Sequence, residues 1–192
     1  MPASIQDSSP ADQRHWLSQY YVVRAAFSLV RVVLASTAGQ NQPTLGAFLL
    51  VLYPLWDAAA NYVDARRSGG FGKNRTQALN TLVSAVTTLA VVVALQVSLS
   101  AVLATFGVWA ILSGLFQLAT AIRRRKASGA QWAMLLSGAQ SALAGGFFVY
   151  QAQQVIPAVL PILAGYAAFG AIYFLLSALT LVLGRQKRAQ DF

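Results

Sequence analysis

The stretch RTQALNTLVSAVTTLAVVVALQVSLSAVLATFGVWAILSGLFQLATAIRRRK, residues 75–126, decides the fold. Between its basic ends no Asp, Glu, Lys or Arg occurs from Thr76 to Ile122, and a second uncharged interval runs from Ala127 to Gly184. A spanning helix takes about 20 apolar residues, so each interval holds two helices and a turn. Backbone groups in hydrocarbon must bond within their own segment, which makes helices the spanning form for such runs. Extending the same reading upstream gives six predicted spans: 18–38, 45–65, 76–95, 101–122, 131–151 and 157–183. The fold class is therefore an all-α membrane protein, six transmembrane helices in three helical hairpins.

Composition agrees with this reading. Of the 192 residues 57% are hydrophobic and only 10% charged, whereas a soluble domain is about a quarter charged. The formal charge of +9 is distributed by position. Basic residues cluster at Arg14, at Arg66, Arg67, Lys73 and Arg75, at Arg123 to Lys126, and at Arg185, Lys187 and Arg188. The intervening connections GQNQPTLG, QVSLS and QAQQVIP carry none. This alternation is the positive-inside pattern and predicts cytoplasmic termini and basic loops in a multi-pass membrane protein. The expected organisation is a polar cytoplasmic segment 1–17, a six-helix domain 18–183 with hairpins 18–65, 76–122 and 131–183, and a basic cytoplasmic tail 184–192. The basic loops face anionic lipid headgroups, and no aromatic-rich soluble module points to nucleic acid. Trp16, Tyr20, Tyr21, Trp132 and Tyr150 fall near predicted helix ends, with Trp109 a further candidate, where amphipathic rings favour the interface. The chain has no cysteine, which removes disulfides and thiolate chemistry. Its polar N-terminus does not read as a cleavable signal, so the first apolar helix is the expected targeting signal.

Shifting the sequence against itself by about 56 residues superposes the three hairpins as parallel repeats. In the first helix of each unit Ser28, Ser84 and Ser141 align, and so do Arg24, Asn80 and Ser137. In the second, Tyr53, Trp109 and Tyr166 align, as do Asp57, Ser113 and Gly170, and Asn61, Gln117 and Phe174. Polar character declines from the first repeat to the third. The fifth helix carries Ser137, Ser141 and Gly145, and Gly138, Ala142 and Gly146, a small-xxx-small spacing that lets backbones approach closely. Such faces serve internal packing, a homo-oligomer or a membrane protein partner.

Arg24, Arg31, Asp57 and Asp64 are the ionisable residues inside the predicted spans, where a charge near the bilayer centre costs roughly 2.5–3.5 kcal/mol on the permissive scale. Arg24, Ser28 and Arg31 share one helix face, and Asp57, Asn61 and Asp64 share another. Equal-depth counting levels Arg24 with Asp57, but opposed side-chain leanings favour a pair between Arg31 and Asp57. Arg24 is then expected to join Asn61 and Asp64 or to snorkel to the cytoplasmic interface. Two readings follow: an internal ion-pair cluster that sets helix register, or a proton or ion relay through Asp57. Catalysis is not expected. Asp57 and Asp64 stand about 10.5 Å apart along one helix, too far to share a proton or an ion. The run DAAANYVDARR only faintly evokes the Asp-rich helix of membrane alcohol phosphotransferases and lacks its Asp-Gly-x-x-Ala-Arg core. No nucleophile, base and orienter set is present, His15 lies in the N-terminal segment, and no cofactor or metal is implied.

The segment FGVWAILSGLFQLATAIRRRKASGAQWAMLLSGAQSALAGGFFV, residues 106–149, resembles the HdeD-type acid-resistance membrane proteins and their short-repeat relatives. It has that family's aromatic-rich helix, basic loop, Trp and small-residue helix. LYPLWDAAANYVDARRSGG, residues 52–70, looks like a diverged copy. The resemblance implies six spans in a bacterial inner membrane and a non-enzymatic role in acid or envelope stress tolerance, through the bilayer or a membrane partner. It supplies no catalytic residues, and Arg31 departs from the small or apolar residue usual in that helix. The alternative expectation is a small channel or transporter with an Arg31/Asp57 proton or ion site.

Overall fold

The computed structural model describes residues 10–128, 131–154 and 159–190, and all regular structure among them is helical. The elements are α1 (Pro10–Ser36), α2 (Pro43–Arg67), α3 (Arg75–Val97), α4 (Leu99–Ser128), α5 (Trp132–Gln151) and α6 (Val159–Gln190). Each contains a stretch long and apolar enough to cross a membrane, so the chain is a multi-pass membrane protein. The first nine residues of the expected N-terminal segment, part of the expected 151–157 turn and the last two residues of the tail lie outside the described residues. α1 begins at Pro10, well before the expected boundary at 18. Proline suits a first helical turn because its missing N–H has no intrahelical partner there.

Local chemistry explains the turns. Pro43 opens α2. Past the far end of α2, Gly69 and Gly70 adopt φ of 98° and 85°, and the Gly70 N–H returns to the Ala65 carbonyl at 2.9 Å. Glycine tolerates this left-handed conformation, which satisfies a carbonyl the helix end would otherwise leave free. Between α3 and α4 the chain turns at Ser98, whose Oγ accepts the Ala101 N–H at 3.0 Å as an N-cap.

Neighbours in sequence are neighbours in space, and α6 returns to pack along α1. The most extensive contacts join α4 to α5, α1 to α6 and α2 to α3; among helices adjacent in sequence, α5 meets α6 more lightly and α1 meets α2 least. The α4–α5 contact is close because glycines face one another. A Cβ on Gly114 would lie 2.6 Å from the Gly138 carbonyl oxygen, and one on Gly145 would lie 2.5 Å from that of Gly107.

Two larger apolar clusters, and a small one of Ala35, Leu49 and Ala164, fill the interior. One gathers Leu50, Val91, Leu103, Phe106, Phe148 and Leu163. The other gathers Leu17, Tyr21, Ala121, Met134, Phe174 and Leu181, toward the basic loops and the N-terminal end of α1. On each of α2, α4 and α5 a polar side chain sits between members of the two clusters: Asp57 between Leu50 and Ala60, Ser113 between Ala110 and Ala121, Ser141 between Met134 and Phe148. Outward faces are apolar, as at Leu89 and Leu143, which suits contact with acyl chains. Trp109 is buried at 3% exposure, and Tyr20 and Tyr21 are buried as well, so these three rings belong to the interior; Trp132 and Tyr150 are exposed.

Gly114→Ala is expected to lower stability by about 1–3 kcal/mol, because the added methyl meets backbone that cannot rotate away. Gly170→Ala, with nothing within 4 Å of its added methyl, is the control and should not destabilise. Unfolding in detergent reads both, and equal losses would contradict glycine-dependent packing of α4 on α5.

Candidate functional site

Asp57, 6% exposed, is the hub of a polar layer halfway along the bundle. Its Oδ1 accepts from Arg24 Nη2 of α1 in a salt bridge. Its Oδ2 accepts from Asn61 Nδ2 one turn along α2 at 3.0 Å and from Ser84 Oγ of α3 at 2.9 Å, with Asn80 Nδ2 further out at 3.4 Å. Ser84 in turn accepts the indole N–H of Trp109 from α4 at 2.9 Å. Arg24 also donates from Nη1 to Tyr20 Oη at 2.7 Å, and its Cζ lies 4.4 Å from the centre of the Phe174 ring on α6. One carboxylate thereby ties five helices together, directly or through one intermediate. Charge-assisted bonds of this kind are about twice as strong as neutral ones.

The expected pair between Arg31 and Asp57 does not form. Arg31 is 2% exposed, donates from Nη2 to the Leu163 carbonyl oxygen at 2.9 Å and stacks 3.6 Å from the centre of the Tyr53 ring. Among the described residues no carboxylate lies within salt-bridge distance of it. Depth explains the difference. Arg24 and Asp57 are level, whereas Arg31 stands about 10.5 Å further along α1, where α6 offers a carbonyl and α2 an aromatic face. Side-chain leaning was too small a correction to overcome two helical turns. Ser28 is buried in the same layer and lines the cavity beside Asp57, but is not among the carboxylate's donors.

Asp64 belongs to a second cluster, and its cation is Arg124 rather than Arg24. Arg124 Nη2 lies 3.0 Å from Asp64 Oδ2. Ser68 Oγ donates to Oδ1 at 3.2 Å and Gln77 Nε2 to Oδ2 at 3.3 Å. Arg123 Nη2 donates to Gln77 Oε1 at 2.7 Å and to Asn74 Oδ1 at 3.2 Å. The sequence reading assigned Arg123 and Arg124 to topology and to anionic lipid headgroups, and the structure adds that they anchor the end of α4 to α2 and α3. Ser84 and Asn80 were signalled by the repeat, which aligns them with Ser28 and Arg24. Trp109 had a repeat signal too, since its bond to Ser84 has a counterpart in Tyr166 Oη donating to Ser141 Oγ at 2.9 Å.

Two cavities of about 40 Å³ each adjoin this layer. The one nearer the basic loops is lined by Tyr21, Asp64, Gln77 and Arg124; the other is lined by Ser28, Tyr53, Asp57, Trp109, Ser141 and Tyr166. They share Arg24, Asn80 and Gln117 as walls. Each has room for water among polar partners. Beyond the second cavity lies the apolar cluster around Leu50, Phe106 and Leu163. Among the described residues no group of three His, Cys, Asp or Glu side chains converges on a common point. His15 is exposed at the start of α1. The arrangement holds a carboxylate tightly and offers hydrogen-bonding surface for small polar species.

A family model described as a short repeat of unknown function (DUF308) matches residues 79–150, from α3 through most of α5. The matched span includes Asn80, Ser84, Trp109 and Ser141. No curated protein and no solved structure matches the chain.

Asp57→Ala strands the Arg24 guanidinium in the interior and is expected to lower stability by about 3–5 kcal/mol. Arg31→Met removes a buried cation without stranding a carboxylate and should stay within about 1.5 kcal/mol of the parent. Denaturant unfolding in detergent distinguishes the two, and a loss at Arg31 as large as at Asp57 would contradict these separate environments.

Proposed function

We propose that this is a non-enzymatic, HdeD-type protein of a bacterial inner membrane, acting in acid or envelope stress tolerance through the bilayer or a membrane partner. Both termini and the basic loops face the cytoplasm, where the loops meet anionic headgroups. The observation that carries the reading is the pairing of Asp57, bonded to Arg24 on one oxygen and to Asn61 and Ser84 on the other. A carboxylate so held acts as a structural tie between α1, α2 and α3. The match of residues 79–150 to the short-repeat family, to which HdeD belongs, supports the HdeD-type reading. The paired bonds Trp109 to Ser84 and Tyr166 to Ser141 support three parallel hairpin repeats, because residues one repeat apart make the same contact.

A second reading, transport of a proton or ion, draws on the two cavities that meet at Arg24, Asn80 and Gln117 and reach Asp57. Its site is the Arg24/Asp57 pair rather than Arg31/Asp57.

Deleting the gene is expected to lower survival of the host bacterium after acid exposure, with the intact gene restoring it. The purified chain in proteoliposomes should show no proton or ion flux between pH 4 and 8 beyond protein-free vesicles. Unchanged survival would overturn the stress role, and flux lost in Asp57→Asn would establish the transport reading instead.

A further inference from the structure

α1 and α6 form a pair set apart from the other four helices. Their mutual contact is extensive, whereas α1 touches α2 and α4 sparingly and α6 meets α5 lightly. Side chains of α1 fasten the pair: Arg31 donates to the Leu163 carbonyl, the Arg24 guanidinium lies over the Phe174 ring, and Tyr21 stacks on that ring with centroids 6.1 Å apart. Helices α2 to α5 are consecutive in sequence and pack each on the next. The bundle is thus an arm of two helices against a body of four.

Connectivity puts both joints of the arm at one end. α1 runs into α2 and α5 into α6, and both connections lie away from the basic loops. The opposite ends of α1 and α6 have no covalent link to the body. At the joint end arm and body meet closely through apolar groups. Ala35, Leu49 and Ala164 are buried in one cluster, and Leu160 Cδ1 comes within 3.0 Å of where a Cβ on Gly46 would stand. Around Arg24, and from there toward the basic loops, three cavities separate arm from body. Two hold about 40 Å³ each, and the third is a lateral groove of about 680 Å³ between α1 and α2. The other contacts at the basic end are made through Ala60, Ala121 and Met134 and a hydrogen bond of Tyr21 with Gln131.

Arg24 lines all three cavities, so its bridge to Asp57 is the partition between them. Among the described residues this is the one ion pair that crosses from arm to body, since the pair of Asp64 with Arg124 lies within the body. Each half of the bridge also has partners on its own side. Asp57 keeps Asn61 and Ser84, both in the body, while Arg24 keeps Tyr20 and Phe174, both in the arm. Parting the two therefore strips neither charge of all its contacts, and water entering from the basic end replaces the one that is lost.

We propose that the α1–α6 arm swings about its joint end and that the Arg24–Asp57 bridge is the catch that holds it closed. Release merges the three cavities into one opening between the Asp57 layer and the basic end, a hinge closure in which packed helices move as a unit. The arm from Trp16 to Ala35 is about 28 Å long, so a swing of about 10–15° moves its free end by about 5–7 Å. The device requires only the six-helix bundle and is independent of the stress role.

The chain has no cysteine, so introduced pairs can carry nitroxides for double electron–electron resonance on the full chain in phosphatidylcholine nanodiscs. Leu183→Cys with Leu79→Cys spans arm and body near the basic end, and Ser36→Cys with Val97→Cys spans them near the joint end; all four positions are exposed. The basic-end pair is expected to give two distances about 5–7 Å apart, with Arg24→Met raising the longer fraction at least twofold, while the joint-end pair gives one distance. Arg124→Met, which removes the ion pair inside the body, should leave the fractions unchanged. A single basic-end distance in both the parent and Arg24→Met would overturn the proposal, as would an equal spread at the joint end of the parent or equal growth of the longer fraction in Arg124→Met. If Arg24→Met spreads the joint-end distances as well, the parent decides: two basic-end distances support the swing and one overturns it.

Discussion

The charge of Asp57, buried halfway along a membrane helix, sets the terms for the rest of the structure. A carboxylate in that position is tolerable only if it is paired and its remaining lone pairs are filled. Arg24 supplies the opposite charge from α1, and Asn61 and Ser84 supply neutral donors from α2 and α3. These requirements fix the rotation of three helices at once. Trp109 extends the constraint to α4 by donating to the hydroxyl that serves Asp57. Between helices in lipid there is little hydrophobic drive, so hydrogen bonds and close backbone packing carry the association. The molecule uses the first mainly in α1 to α3 and the second in α4 and α5, where Gly107, Gly114, Gly138 and Gly145 bring two backbones together.

This division makes the bundle uneven. The α4–α5 contact is tight and apolar, while α1 touches α2 sparingly and depends on the Arg24 to Asp57 bridge to stay in register. The groove beside that bridge follows from the sparse contact. The second ion pair, between Asp64 and Arg124, fastens the basic end of the bundle and turns a loop charge into an interhelical tie. Arg31 stands apart from both, compensated by a helix carbonyl and an aromatic face. Arginine does not shed its proton at any accessible pH, so those weaker partners must suffice for a full charge.

Much of the architecture was legible because charge in a membrane protein is sparse and therefore informative. The two uncharged intervals delimit four helices directly, and the structure places helices α3 to α6 over them. The polar layer was legible as a set, since intramembrane charges and their helical spacing single out Arg24, Arg31, Asp57 and Asp64. Their pairing was not. Choosing between Arg24 and Arg31 for Asp57 turns on a few ångströms of depth, and spacing along one helix does not fix its height against the next. Arg124 was missed because a cation beside a loop reads as topology, although its helix continues to Ser128 and holds it within reach of Asp64. Ser84 and Trp109 were within reach of the repeat alignment, which pairs them with Ser141 and Tyr166, but alignment alone does not say that a serine and an aromatic ring will bond.

The central claim is that Asp57 is tied to Arg24 and not to Arg31. A double-mutant cycle in detergent, pairing Asp57→Ala with Arg24→Met and separately with Arg31→Met, measures it without reference to any function. The account predicts a coupling of roughly 1–3 kcal/mol for Arg24 with Asp57 and a value near zero for Arg31 with Asp57. A large coupling to Arg31, with none to Arg24, would contradict it.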